Sequence, residues 1–230
     1  MSLPNPELLE LLKNDFVVGW ENIEKKEHVG VSHGYSCKQT AIGTTNGAGG
    51  RNVQIIVMAS DTTVLHVLPG FWHPEDLIKE LLFARQLFHL HKDRSKKLAE
   101  KRQFAAMMRA SHLRSMSDET IARSDWQGFD RHHELQRYQN EPRDTVVLTT
   151  GGKPQLKPVC HVIHDRMADR VFAKLAKFDM EDFVDYGRAF YDNNTRVGDK
   201  GKDFRSAVKQ NRKRERREAK EARERERRSK

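Results

Sequence analysis

Two pairs of residues in the sequence have side chains that bind zinc and stand four positions apart. His33 precedes Cys37, and Cys160 precedes His164. Residues four apart share one face of a helix, and thiolate sulfur and imidazole nitrogen are common zinc ligands. If folding brought the two pairs together, they would form a Cys2His2 site. Because neither spacing matches a zinc finger or ribbon, we predict helix-surface histidines and no bound metal.

A glycine-rich stretch, Thr44–Asn52, is a second candidate, in this case for an anion. Its backbone N–H groups and the Arg51 side chain would suit a phosphate. The stretch precedes a predicted strand, whereas Gly-x-Gly-x-x-Gly and Walker loops follow one, and it matches neither pattern. We therefore predict a tight loop and no cofactor.

The charge of the chain lies in its C-terminal tail. Residues 200–230 contain 15 Lys or Arg and 6 Asp or Glu, which equals the +9 of the whole chain. A segment with so few apolar residues cannot bury a core, so we predict disorder or a single helix. The charge favours non-specific contact with RNA or DNA, although the interleaved Glu residues equally suit a solubilising tail. The candidate contacts are Arg212, Lys213, Arg214, Arg216 and Arg217.

The two cysteines are far apart in sequence, which argues against a disulfide framework and for a reducing, cytoplasmic location. The first residues lack a basic region followed by a long apolar run, and no run of 18 apolar residues occurs. We therefore predict no export signal and no membrane span.

A predicted β-hairpin and helix must position any site in the N-terminal half. Residues 53–59 and 64–68 are apolar and rich in β-branched side chains, and the turn-forming sequence Ser-Asp-Thr-Thr separates them. Both faces of the first strand are apolar, so we predict a central strand covered by helices on both sides. Pro74 should begin a helix whose apolar stripe, through Leu81, packs on this hairpin.

The remaining elements are predicted from local patterns. We expect a short helix after Asn5, a strand at 16–20, one or two helices over 92–123, an edge strand or ordered loop at 145–150, a helix over 158–177, and docking of the aromatic segment 178–191.

The order strand, turn, strand, glycine and amphipathic helix resembles the C-terminal half of the thioredoxin fold. The phrase from Val64 to Leu77, Val-Leu-His-Val-Leu-Pro-Gly-Phe-Trp-His-Pro-Glu-Asp-Leu, also resembles bacterial thioredoxin-like proteins without a Cys-x-x-Cys pair. The resemblance covers residues 5–92 and, more loosely, 158–194. It implies an α/β fold: a three-layer thioredoxin-like domain with a mixed sheet and a C-terminal β-hairpin plus helix.

The resemblance also divides the chain into regions. It implies a thioredoxin-like domain over 1–92, a helical or irregular extension over 93–157, a helix and docking segment over 158–197, and a basic tail over 198–230.

Within this resemblance, Cys37 is the candidate catalytic residue. Thioredoxin chemistry needs a thiolate at a helix start and a second cysteine three residues away, but Gly34 occupies that place. Cys37 is also only 16 residues before Val53, and the usual cis-proline before the hairpin is missing. We therefore expect a non-catalytic interaction or scaffolding module with a protein partner. One alternative is a thiol-disulfide oxidoreductase using Cys37, and another is nucleic-acid or ribosome association through the tail.

Overall fold

The computed structural model describes residues 4–22, 53–126 and 128–184, which belong to one compact unit. These residues form a mixed α/β structure with seven α-helices and two small antiparallel sheets. The elements are α1 Pro6–Asp15, β1 Gln54–Met58, β2 Val64–Pro69, α2 Pro74–Lys92, α3 Leu98–Arg114, α4 Asp118–Arg123, α5 Gly128–Asn140, β3 Val146–Leu148, β4 Pro154–Leu156, α6 Val159–Met167 and α7 Met180–Val184. Within these ranges, no helix has the length and apolar character needed to cross a membrane.

Helix α1 begins where the sequence predicts it. The Asn5 side chain caps the helix by accepting a hydrogen bond from the Leu8 backbone N–H at 3.0 Å, and Leu8 is buried. The strand predicted at 16–20 is wrong, because that stretch has no regular structure and Val17 and Trp20 are exposed. Apolar composition alone does not make a strand, since its backbone groups also need a neighbouring strand to pair with.

The predicted hairpin is confirmed. Strands β1 and β2 pair antiparallel, with Ile55 opposite Leu68 and Val57 opposite His66. All of β2 is buried, whereas most of β1 is only half-buried and its last residue, Met58, is exposed. Burial on both faces therefore holds for β2 and not for β1, which was the strand predicted to be central.

Helix α2 begins at Pro74, as predicted, and packs on the hairpin. Its buried residues include Leu77, Leu81 and Ala84 from the predicted stripe. Two acidic residues of the helix are also buried, Asp76 in its first turn and Glu80 between Leu77 and Ala84, and each is 2% exposed. A carboxylate on the core side of a helix needs partners, because burying an unpaired charge is costly.

The region after α2, for which one or two helices were predicted, contains two, α3 and α4. The stretch predicted as an edge strand or ordered loop at 145–150 contains the strand β3. Helix α6 is shorter than predicted and ends at Met167. Phe172 has a positive φ of 63°, and its N–H donates to the Val64 carbonyl, while the Val64 N–H donates to Ala173. Residues beyond 170 therefore pair with the start of β2 instead of continuing the helix.

Helix α7 lies within the aromatic segment that was predicted to dock. Phe183 is fully buried, and the Arg166 guanidinium donates to the carbonyls of Phe183 at 3.2 Å and Val184 at 2.6 Å. Arg166 also pairs with Asp144 at 2.7 Å. The docking prediction is confirmed for residues 180–184, and its later aromatic residues lie outside the described part of the chain.

Candidate metal centre

Four polar side chains from four different elements meet in the core. His66 comes from the middle of β2, Glu80 from the buried side of α2, His112 from the last turn of α3, and His164 from α6. Because β2 contacts both α2 and α6, the His66 side chain lies where these helices meet the strand. The cluster thus combines residues from three of the regions into which the sequence was divided.

The three imidazole rings converge on a single carboxylate. His66 Nε2 lies 2.9 Å and His164 Nε2 lies 3.0 Å from Oε2 of Glu80, while His112 Nε2 lies 3.1 Å from Oε1. His66, Glu80 and His164 each offer a ligand atom within 4.8 Å of the other two. His112 approaches the other oxygen of the carboxylate.

The cluster is closed to solvent except at His112. The side chains of His66, Glu80 and His164 are at most 2% exposed, and that of His112 is 15% exposed. The Phe83 ring stacks on His112 with centroids 4.6 Å apart and meets the other two imidazoles edge-on. An aromatic wall therefore excludes water from one side of the cluster.

Glu80 is ionised in this environment. Burial by itself raises the pKa of Glu80, but the interaction with His164 and the hydrogen bonds from all three imidazoles hold that pKa well below its usual range. Burial lowers the pKa of His66 to about 4, although the hydrogen bond and charge of Glu80 oppose this shift. At neutral pH His66 is therefore an uncharged imidazole beside a carboxylate, and these are the protonation states that bind metals.

Glu80 differs from the other buried acids in its partners. Among the described residues the buried carboxylates are Asp76, Glu80 and Glu134. Asp76 pairs with Arg123 at 2.7 Å, and Glu134 pairs with Arg137 at 3.0 Å. Within the described part of the chain, the side chains that bond the Glu80 carboxylate are histidines alone. Among these residues Glu80 therefore lacks the permanently charged partner that balances the other two acids.

The distances between the donor atoms are close to those in a zinc site. A tetrahedral zinc site with bonds of about 2.0–2.2 Å places its ligand atoms about 3.4 Å apart. The Nε2 atoms of His66 and His164 lie 2.9 and 3.0 Å from the Glu80 oxygen, so an expansion of a few tenths of an ångström would admit an ion. Their Nδ1 atoms are buried and have no hydrogen-bond partner among the described residues, so Nε2 carries all the polar contacts of both rings.

The comparisons with known proteins give no neighbour. No family model matches this chain, and neither a curated protein nor a solved structure does.

Only some of the candidate site residues that were predicted from the sequence lie in the described part of the chain. His33, Cys37, the loop 44–52 and all five basic tail residues, Arg212, Lys213, Arg214, Arg216 and Arg217, lie outside them. Cys160 is 1% exposed, and burial raises the pKa of its thiol to about 11, so it is not a reactive thiolate. The prediction of a helix-surface histidine is wrong for His164, whose side chain is completely buried.

Sequence reasoning missed His66, Glu80 and His112. A usable signal was present for two of them. His66 is the only polar residue in the strand Val64–Leu68, and Glu80 stands three residues after Leu77 and four before Ala84, within the apolar stripe. A polar residue in an otherwise apolar face marks either a paired core group or a ligand. His112 lies in a polar stretch and gives no such signal.

Proposed function

We propose that this protein binds one divalent transition-metal ion through His66 Nε2, the Glu80 carboxylate and His164 Nε2. The observation that carries the proposal is the convergence of these donors within 4.8 Å of one another around a buried carboxylate whose partners in the described part of the chain are histidines. A bound cation would supply the positive charge that Arg residues supply to the other buried acids.

Ligand chemistry limits the choice of ion. Two imidazoles and one carboxylate suit zinc, and the same donor set with open positions suits non-haem Fe(II). Zinc is the first candidate, since it needs neither a redox partner nor a particular coordination geometry.

The number of ligands bears on the role of the ion. Structural zinc sites have four protein ligands, whereas catalytic sites have three and hold water or substrate in a further position. His66, Glu80 and His164 form a three-ligand set, and His112 stands beside it on the more exposed side. A centre of this type acts as a Lewis acid and activates bound water. The three-ligand set therefore favours a metal-dependent reaction over a purely structural role.

The competing interpretation is a hydrogen-bonded cluster without metal, in which one imidazole carries a proton and balances Glu80. A zinc titration distinguishes the metal site from the metal-free cluster. The full-length chain is first dialysed against a chelator and is then titrated with zinc in competition with a chromophoric chelator. We expect one equivalent to bind, and His66→Gln to weaken binding about 100-fold or more.

His89→Gln is the matched control for this titration, because His89 is exposed and lies on α2. Substoichiometric binding by the parent, or an equal loss in His89→Gln, would contradict the metal proposal. An anaerobic titration with Fe(II) tests the second candidate ion.

The thioredoxin-like classification of residues 5–92 is a separate proposal. Its support is the sequence resemblance together with the order β1, turn, β2, Gly70 and α2. The non-catalytic interaction or scaffolding role that it implies, in the cytoplasm, is the alternative to a metal-dependent reaction at His66, Glu80 and His164. Contact with RNA or DNA is on either proposal left to the basic tail.

The thiol alternative has its own test, a dithiol-driven insulin-reduction assay. We expect the parent and Cys37→Ser to show equal rates near background, because the sequence has Gly34 where a thioredoxin would have its first cysteine. A rate clearly above background in the parent that Cys37→Ser loses would establish the oxidoreductase instead.

A further inference from the structure

Arg109 is a buried cation with few partners. It lies on α3, three residues before His112, so the two share a face of that helix. Its residue exposure is 5%, and within the described part of the chain its hydrogen bonding is limited to one contact, from Nη2 to the Met167 carbonyl at 3.3 Å. Its Nε atom is buried without a partner. A guanidinium has five N–H donors, so most of its binding capacity is unused.

Capping of α6 does not account for Arg109. Met167 is the last residue of that helix, and a cation at this end is favourable. One neutral carbonyl does not balance a buried charge. Burial lowers the pKa of Arg109, while the nearby carboxylates of Asp165 and Asp169 oppose this shift. Neither forms an ion pair with Arg109, and Asp165 pairs instead with Lys157 at 2.6 Å.

The charges of the loaded centre would favour an anion. A divalent ion adds two positive charges, the Glu80 carboxylate removes one, and the Arg109 guanidinium adds one. Arg109 lies one turn before His112, which bonds Glu80, and its Nη2 contacts the end of α6, the helix that carries His164. A net positive charge in a largely buried site attracts anions strongly, because water screens it poorly.

His112 marks the side on which a ligand would enter. It is the most exposed member of the cluster at 15%, and it bonds Oε1 of Glu80 at 3.1 Å, away from the oxygen shared by His66 and His164. Helix α3, which carries both His112 and Arg109, buries only Ala105 and Arg109. The most exposed side of the centre is therefore the side on which α3 presents His112.

We propose that the metal centre takes a small oxyanion as its exogenous ligand, with one oxygen on the metal and another paired with Arg109. This inference rests on the proposed metal centre. A carboxylate and a phosphate share the required chemistry, because both accept two parallel hydrogen bonds from a guanidinium. When a metal binds the Glu80 carboxylate, His112 Nε2 would be released from Glu80 and could donate its hydrogen bond to the oxyanion.

Cobalt substitution of the full-length chain provides the test, since the visible absorption of Co(II) reports changes in its ligands. The substituted protein is titrated with sodium acetate and, separately, with inorganic phosphate, with sodium chloride as the control for ionic strength. We expect a saturable spectral change with at least one oxyanion at concentrations where chloride has no effect. Acetate binding alone would identify a carboxylate ligand, and phosphate binding alone a phosphate.

Arg109→Met is expected to weaken oxyanion binding about tenfold or more while the cobalt spectrum without anion stays unchanged. The control is Arg102→Met, because Arg102 is exposed on the same helix. If Arg109→Met does not fold, Arg109→Lys replaces it. Lysine retains the positive charge but lacks the planar guanidinium with its parallel N–H donors, so we expect it to weaken oxyanion binding several-fold.

The outcomes separate the two proposals. If cobalt does not bind, the metal centre and the anion site are both wrong. If cobalt binds and neither oxyanion changes the spectrum, or Arg109 variants bind as tightly as the parent, only the anion site is overturned.

Discussion

Glu80→Gln is expected to abolish stoichiometric zinc binding while leaving the fold in place. Glutamine preserves the size of the side chain and can accept hydrogen bonds through one oxygen, but it has no negative charge to attract a cation. In the parent, zinc at 100 times its dissociation constant should raise the free energy of unfolding by about 2.7 kcal/mol. Glu80→Gln should show no such increase.

Urea unfolding of both proteins, with zinc and with a chelator, measures this difference. Glu75→Gln is the matched control, because Glu75 lies on the same helix with its side chain 64% exposed and pairs with Arg123 at the surface. That variant should respond to zinc like the parent. Zinc-dependent stabilisation of Glu80→Gln equal to that of the parent would place the metal elsewhere.

Leu81→Ala is expected to lower the free energy of unfolding by about 2–5 kcal/mol, through lost burial plus a cavity. Leu81 is 2% exposed and lies on the face of α2 that packs on the hairpin. Urea unfolding in the presence of a chelator measures the effect without a contribution from metal.

The control for Leu81→Ala is Gln86→Ala, since Gln86 is exposed on the same helix and its loss should change stability by at most about 0.5 kcal/mol. A measured loss below about 1 kcal/mol for Leu81→Ala would contradict the packing of α2 on β1 and β2.

The sequence predicted correctly those elements whose formation depends on residues close together in the chain. The hairpin followed from two apolar runs around a turn sequence, and the start of α2 followed from Pro74 and the two acids after it. The errors were at places where distant residues decide the outcome. A strand at 16–20 would have needed a partner, and α6 ends at Met167 because the following residues pair with β2.

The cluster could not be assembled from the sequence for the same reason. His66 and Glu80 were recognisable as polar residues in apolar surroundings, but nothing local relates them to His112 or to His164, which is 98 positions after His66. Their meeting depends on the packing of α3 on α2 and of α6 on β2, which is a tertiary property. The pairing considered from spacing, Cys160 with His164, contains one member of the cluster, His164, whereas Cys160 is not part of it.

The pairing of residues 172–175 with the start of β2 has a consequence for the association of chains. Thr63 bridges Lys174, and the Leu175 N–H donates to the Thr62 carbonyl at 2.9 Å, so this part of the strand edge is occupied from within the molecule. The strand that begins at this edge, Val64–Pro69, is apolar apart from His66, and an unpaired edge of such a strand can be a template for strand addition by another copy. Residues 172–175 cover the beginning of this edge, so a chain shortened before residue 172 is expected to expose it.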